Sequence, residues 1–324
     1  MKDIKHIKEP IQKELGEFEQ RFRASLKTDV PLLNNVIHYI VKRKGKQIRP
    51  MFVFLTARLF GETNDSTYRA AALIELLHTA TLVHDDVVDD SNLRRGFFSL
   101  NALWKNKIAV LVGDYLLSRG LQLATQHKEF ALLQVVSEAV QKMSEGELLQ
   151  MEKARKMDID EATYFRIIDY KTATLIAACC QAGAISAKAS NEQTEQLRQF
   201  GSAVGIAFQI KDDLFDYGDG SGIGKPTGID IKERKITLPL IHAISTAPKK
   251  DRRWLVKTVR HHHQNPEKVK EVVNYVQQTD GIKRAVEAMH RYKDQALEIL
   301  HTFEPSPARS ALESLVAFSI ERKQ

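Results

Sequence analysis

The stretch Glu75-Leu-Leu-His-Thr-Ala-Thr-Leu-Val-His-Asp-Asp-Val-Val-Asp-Asp90 constrains this chain more than any other. Leu73, Leu76, Leu77, Ala80, Val83 and Val87 recur at steps of three and four residues, the period of a helix with a buried face. At that period His78, Leu82, Asp85 and Asp89 fall on one stripe, with Asp86 about 100° round the axis. An apolar helix therefore ends in carboxylates one turn apart, which repel each other unless something positive lies between them. A hard divalent cation is one compensator, because Mg²⁺ takes oxygen ligands from one or two carboxylates together with substrate phosphates. A solvated acidic helix end is the other reading, and the motif alone does not separate the two.

A second stretch repeats this chemistry. Gly201, Gly205, Gln209, Asp212 and Asp216 share a stripe of the segment that closes in Phe208-Gln-Ile-Lys-Asp-Asp-Leu-Phe-Asp-Tyr217, with Asp213 beside it. Two helices that each end in aspartates at i, i+1 and i+4 point to a bundle whose carboxylates face each other across one cavity mouth. Such a mouth can hold several Mg²⁺ ions, and those ions a diphosphate. Lys46, Arg49, Arg94, Arg95, Lys171, Lys225 and Lys235 add enough positive charge for more than one diphosphate group. Below the mouth the helices are rich in Ala, Leu, Val and Gly, which suits an amphiphile with a diphosphate head and a hydrocarbon tail.

The rest of the chain fits a helical frame. Only 9 prolines and 16 glycines among 324 residues, long runs of helix formers and no strand-hairpin signature predict an all-α fold. No linker or composition shift divides it, so residues 1–324 read as a single domain. A formal charge of +7 suits an anionic partner, but the basic residues are scattered without interleaved aromatics, which argues against nucleic acid. Cys179 and Cys180 sit side by side in an apolar run and read as small core residues. There is no signal-peptide core and no apolar run approaching the roughly 18 residues of a membrane span, so a cytoplasmic protein is expected.

Periodicity predicts helices over Ile11–Arg23, Leu32–Val41, Pro50–Gly61, Ile108–Leu117, Phe130–Met151 and Glu161–Ala187, the last interrupted at Lys171-Thr172. Asn64-Asp65-Ser66 can cap the central helix, and Ser91 to Phe98 reads as a polar turn. Gly218 to Thr227 is glycine-rich, yet it meets neither the Walker nor the dinucleotide spacing, and it reads as a mobile loop that delivers Lys225. His261-His-His263 cannot converge on a metal from one helix turn and reads as polar surface. Residues 232–322 complete the chain as shorter amphipathic helices.

Taken in order, these residues resemble the trans-polyprenyl diphosphate synthases, long-chain type. The resemblance is carried by His84-Asp-Asp-Val-Val-Asp89 with Arg94-Arg95-Gly96, by Gln209-Ile-Lys-Asp-Asp-Leu-Phe-Asp216, and by Gly45-Lys46, Arg49-Pro50, Gly113-Asp114-Tyr115, Lys171-Thr172-Ala173, Gly224-Lys225-Pro226 and Lys235-Ile-Thr-Leu-Pro239. Two departures are visible: Lys44-Gly45-Lys46-Gln47 replaces Gly-Gly-Lys-Arg, and Lys105 replaces the glycine that usually follows Trp104. The resemblance implies an isoprenoid-synthase bundle around a central prenyl-chain cavity and a homodimer formed by helices from the middle of the chain. It also implies head-to-tail condensation of an allylic diphosphate with isopentenyl diphosphate.

The same resemblance implies residue roles. Asp85, Asp89 and Asp212, supported by Asp86, Asp213 and Asp216, would hold Mg²⁺. Lys171, Lys225, Arg94 and Lys235 would face the allylic diphosphate, while Lys46, Arg49, His78 and Arg95 would hold isopentenyl diphosphate, and Thr172 and Gln209 would steady the carbocation. Ala80 and Thr81 lie about 6 Å below Asp85 along the helix. Both are small and would leave the cavity open, so a product of hexaprenyl to decaprenyl length is expected. Gly201 and Gly205 either widen that cavity or allow close helix packing. The competing readings are a shorter-chain synthase, a class I terpene cyclase, which needs no isopentenyl site, and a subunit of a heteromeric synthase. Product release would involve at most peripheral membrane contact.

Overall fold

The computed structural model describes residues 4–42, 45–94, 96–218 and 227–321. The described chain is a helical bundle. A short α1 (Ile4–Lys8) and a 3₁₀ turn lead into α2 (Gln12–Ser25), α3 (Pro31–Lys42), α4 (Ile48–Arg58) and the long α5 (Asp65–Val88). A minimal hairpin, β1 (Leu93–Arg94) and β2 (Phe97–Phe98), precedes α6 (Leu100–Gln126) and α7 (Phe130–Lys156). α8 (Glu161–Ile168), α9 (Thr174–Ser186) and α10 (Asn191–Phe215) follow, then α11 (Ile229–Lys232), α12 (Leu238–Thr246), α13 (Lys249–His261), α14 (Pro266–Gln277), α15 (Gly281–His301) and α16 (Pro307–Ile320). No described helix is long and apolar enough to cross a membrane.

α5 packs chiefly along α6, while α10 lies between α15 and α9, and α9 in turn rests on α4 and α7. Two apolar clusters result: a large one through α4, α5, α9, α10 and the C-terminal helices, and a smaller one between α3, α5 and α6. Cys179 and Cys180 belong to the large cluster and are fully buried, and burial raises both thiols, Cys179 to about 12. As expected, they are core residues. The start of α5 is fixed by a capping box in which the Asn64 side chain accepts from the amides of Ser66 and Thr67, and the Thr67 hydroxyl accepts from the Asn64 backbone N–H.

One feature departs from the sequence expectation and two others give it its physical form. The segment read as a polar turn forms the β1–β2 hairpin, with Leu93 opposite Phe98 and Arg94 opposite Phe97, and Gly96 at φ +79° reverses the chain. Two-residue strands are too short to show an alternating pattern. The break expected at Lys171-Thr172 is a π turn, Asp169–Ala173, set between α8 and α9. Of the two readings of Gly201 and Gly205, close helix packing is the one found: a Cβ at Gly201 would lie 2.7 Å from the Ala177 Cα, and one at Gly205 2.4 Å from the Ala173 Cα. Both glycines let α10 press directly onto α9 and the π turn.

Candidate active site

Both acidic segments lie at helix C-termini. Asp85 and Asp86 occupy the last turn of α5 and Asp89 is its C-cap; Asp212 and Asp213 occupy the last turn of α10 and Asp216 is its C-cap. A helix C-terminus carries partial negative charge, so stacking carboxylates there opposes the macrodipole and calls for a cation. The two ends act on shared surroundings: Asp89 is among the charges that hold Lys235 protonated, and Lys235 lines a cleft with Asp212, Asp213 and Asp216.

This cleft has a volume of about 290 Å³. Its lining is mixed, with Lys171, Thr172, Gln209, Asp212, Asp213, Asp216, Asp230 and Lys235 among the polar residues and Ile159, Ile167, Ile168 and Ile236 among the apolar ones. The π turn explains how Lys171 and Thr172 arrive there, since a wider turn shifts side-chain directions out of the α-helical register. Gly146 on α7 makes room for it, because a Cβ there would lie 2.8 Å from the Tyr170 Cβ. The Lys171 ammonium is held by Glu147 at 2.5 Å and by the Gln150 amide oxygen at 3.3 Å.

The acidic residues of α10 are not equivalent. Asp212 is exposed. Asp213 is buried and accepts from the Tyr164 hydroxyl at 2.6 Å and from the Gln209 amide at 2.8 Å. Burial raises its pKa to about 7 against those two hydrogen bonds, with the charge of Asp212 adding to the rise. Asp216 accepts from the backbone amides of Ile229 at 2.7 Å and Asp230 at 3.2 Å, so it ties the start of α11 to the end of α10. Its pKa is also raised by burial, which outweighs those bonds. Asp230 stands at about 8, raised by burial and then by Asp213 and Asp216. Burial opposes the Lys235 charge, but a hydrogen bond from Lys235 to Glu233 and the charges of Glu233, Asp230 and Asp89 overcome it.

The cleft brings together Lys171, Thr172, Gln209, Asp212, Asp213, Asp216 and Lys235. Its lining does not include Asp85, Asp86, Lys46, Arg49 or His78. Arg49 and Glu75 both act on Cys179, which puts them where α4 and α5 meet α9, and His78 follows one turn along α5. The Lys46 ammonium lies 4.9 Å over the Phe318 ring of α16. The cleft does not reach Ala80 or Thr81 either. Ala80 is fully buried in the α3–α5–α6 cluster beside Leu76, Val83 and Val112, and the Thr81 hydroxyl is turned back to the His78 carbonyl at 3.0 Å. Arg95, Lys225 and the glycine-rich residues 219–226 lie outside the described residues, and Arg94 belongs to β1.

Among the described residues, no three His, Cys, Asp or Glu side chains converge as a protein-only metal cage. Mg²⁺ does not require one, since it keeps waters and phosphate oxygens and takes few carboxylates. Hard oxygen donors crowded at two negative helix ends fit such an ion. Sequence reasoning missed Tyr164, Glu147, Gln150, Glu233 and Asp230. A polar residue on an amphipathic helix looks the same whether it meets solvent or a buried partner.

A family model described as Polyprenyl synthetase matches residues 30–276. The chain belongs to the polyprenyl synthetase family. Membership makes it a prenyltransferase and accounts for the all-α architecture. Octaprenyl diphosphate synthase of Escherichia coli is 36% identical, with 99% of each chain covered. Heptaprenyl diphosphate synthase component 2 of Bacillus subtilis is 31% identical, covering 97% of this chain and 89% of that one. Among solved structures, this polyprenyl synthetase superimposes on a decaprenyl diphosphate synthase from Rhodobacter capsulatus with a TM-score of 0.94 at 33% identity, covering 99% and 100%. It superimposes on a geranylgeranyl pyrophosphate synthase from Bacteroides thetaiotaomicron with a TM-score of 0.84 at 37% identity, covering 98% and 99%.

Proposed function

We propose that the protein is a long-chain trans-polyprenyl diphosphate synthase that extends an allylic diphosphate with isopentenyl diphosphate, head to tail, to a C30–C50 product suited to a quinone side chain. The observation that carries this reading is the cleft at the end of α10, whose lining combines Lys171 and Lys235 with Asp212, Asp213 and Asp216 and with several isoleucines. In this reading residues 1–324 act as one domain, in the cytoplasm, as a homodimer.

The hard step is heterolysis of the allylic C–O bond, in which negative charge grows on the departing diphosphate. Asp85, Asp89 and Asp212 would hold Mg²⁺, with Asp86, Asp213 and Asp216 in support, and the bound ions supply Lewis-acid stabilisation of that leaving group. Lys171 and Lys235 add fixed positive charge, each transferring from its internal carboxylate, Glu147 or Glu233, to the diphosphate. Arg94 and Lys225 belong to the same group. Lys46, Arg49, His78 and Arg95 hold the isopentenyl diphosphate, so that its double bond meets the allylic cation. Thr172 and Gln209, joined at 2.7 Å, offer oxygen lone pairs to the cation. The proton lost at the end goes to the departing diphosphate.

Small side chains at Ala80 and Thr81 support the long product, since α5 itself places no aromatic at these two positions to stop a growing chain at the α5–α6 seam. The geranylgeranyl pyrophosphate synthase at 37% identity favours a shorter product as the second reading. Purified protein with Mg²⁺, farnesyl diphosphate and labelled isopentenyl diphosphate, analysed by reverse-phase chromatography, separates them. Polyprenyl products of C30 or longer are expected, and a ladder ending at C20 supports the second reading. No elongation overturns single-protein synthesis and leaves a partner subunit to be supplied, in line with the relative named as a component.

A further inference from the structure

We propose that Tyr164 is a positioning residue for prenyl transfer, acting through Asp213 on the orientation of the Gln209 amide and so on the lone pairs of Thr172. The inference rests on the synthase reading of the cleft. Tyr164 is 4% exposed on α8, and its hydroxyl donates to Asp213 Oδ2 at 2.6 Å. Asp213 Oδ1 accepts from Gln209 Nε2 at 2.8 Å, and Gln209 Oε1 accepts from Thr172 Oγ1 at 2.7 Å. These bonds form one polar chain that runs from α8 through α10 to the π turn.

The direction of this chain has a chemical consequence. A carboxamide has a donating end and an accepting end, and which way it points is decided only by its neighbours. Asp213 takes two donors, one on each oxygen, so the nitrogen end of Gln209 stays on Asp213 and the oxygen end on Thr172. Thr172 has one hydroxyl proton and spends it on Gln209. What remains at Thr172 Oγ1 is lone-pair density, and both Thr172 and Gln209 line the cleft. Where positive charge develops on an allylic carbon, preorganised oxygen lone pairs stabilise it and N–H or O–H groups oppose it.

Removing the Tyr164 hydroxyl lets the whole Asp213 carboxylate turn away from Gln209, and the Gln209 amide, its nitrogen no longer held, can then flip. A flipped amide turns its NH₂ toward Thr172, and the Thr172 proton becomes free to point at the cation. The carbocation then meets donors in place of acceptors. The main diphosphate contacts assigned above, Lys171, Lys235 and the ions held by Asp85, Asp89 and Asp212, do not run through the Tyr164 hydroxyl, and Asp213 only supports those ions, so binding is expected to change little.

The test is Tyr164→Phe in the full-length protein, assayed with Mg²⁺ and both diphosphates. Phenylalanine keeps the ring that packs edge-on against Phe165 at 5.4 Å, so the fold is expected to be retained. The expected result is a roughly 10-fold loss in kcat with both KM values within about twofold of the parent. In a Thr172→Val background the same substitution is expected to change kcat by less than about twofold, because the group it acts through is gone. A lower Tm with unchanged kcat, or an equal loss in both backgrounds, assigns Tyr164 a packing role only and overturns the proposal. Absence of condensation by the unaltered protein even when a partner subunit is supplied overturns the synthase reading itself, and this proposal with it.

Discussion

Lys105 carries φ +70° and ψ 160° inside α6, a backbone region that a side chain adopts only under strain. The sequence showed Lys105 as a departure from the glycine that usually follows Trp104, and the structure shows its physical meaning: the bend in α6 calls for a residue without a Cβ. Such strain costs about 1–3 kcal/mol, offset by roughly 0.5–1 kcal/mol of extra unfolded-state entropy for glycine. Lys105→Gly is therefore expected to stabilise the protein by about 1 kcal/mol and to raise Tm by roughly 1–3 °C in calorimetry. An unchanged or lower Tm would show that the bend relaxes without cost. Other residue-scale features were hidden for a different reason. Gly113 admits the His84 ring, whose Nε2 would lie 2.1 Å from an added Cβ, and Gly146 admits the π turn. The glycines are plain in the sequence, but the partner that fills the space comes from a segment far away in the chain.

At the scale of elements, α5 and α10 were legible because three- and four-residue apolar steps and terminal aspartates are local signals. Asn64 and Ser190 both cap as side-chain chemistry dictates, and only the first was anticipated. What periodicity could not supply was direction in space. Thr81, not Ala80, shares a face with Asp85, and Ala80, about 140° round the axis, is turned into the α3–α5–α6 cluster, so the cleft does not reach it. That placement makes the chain-length reading a statement about the α5–α6 seam. An aromatic at this level would close the seam against a growing hydrocarbon. Thr81→Phe, at a half-buried site, is expected to shift the longest product down by several isoprene units with condensation retained, read by chromatography of the labelled products. Ala80→Phe is expected to shorten the product too, but to cost stability, because overpacking a filled core site costs about 1–3 kcal/mol. An unchanged product distribution from a folded Thr81→Phe protein would refute the seam as the elongation path.

At the scale of the whole molecule, the bundle buries its cores yet leaves an apolar surface on the two helices that follow the first aspartate motif. On α6, Val110 and Leu121 are spaced by 11 residues and so share a face, with Leu111 beside them at 56% exposure. On α7, Phe130 and Leu148 are five turns apart on one face, at 61% and 67% exposure. Isolated exposed leucines are ordinary, and aligned pairs on adjacent helices are what the proposed homodimer would cover. Self-association through α6 and α7 satisfies this with one repeated patch, since a two-fold dimer pairs the same surface on both copies. The interface would also brace the outer side of α6, against which α5 holds Asp85 and Asp89. Light scattering after size exclusion is expected to give twice the 36.8 kDa chain mass for the unaltered protein. Placing charges in the rows, as Leu111→Lys with Leu121→Lys, removes apolar area and sets like charges across the two-fold axis. The double variant is expected to elute as a monomer with activity reduced at least several-fold, because the wall behind the first aspartate motif loses its support. A variant that remains dimeric would place the interface elsewhere on the bundle, and a fully active monomer would separate assembly from catalysis.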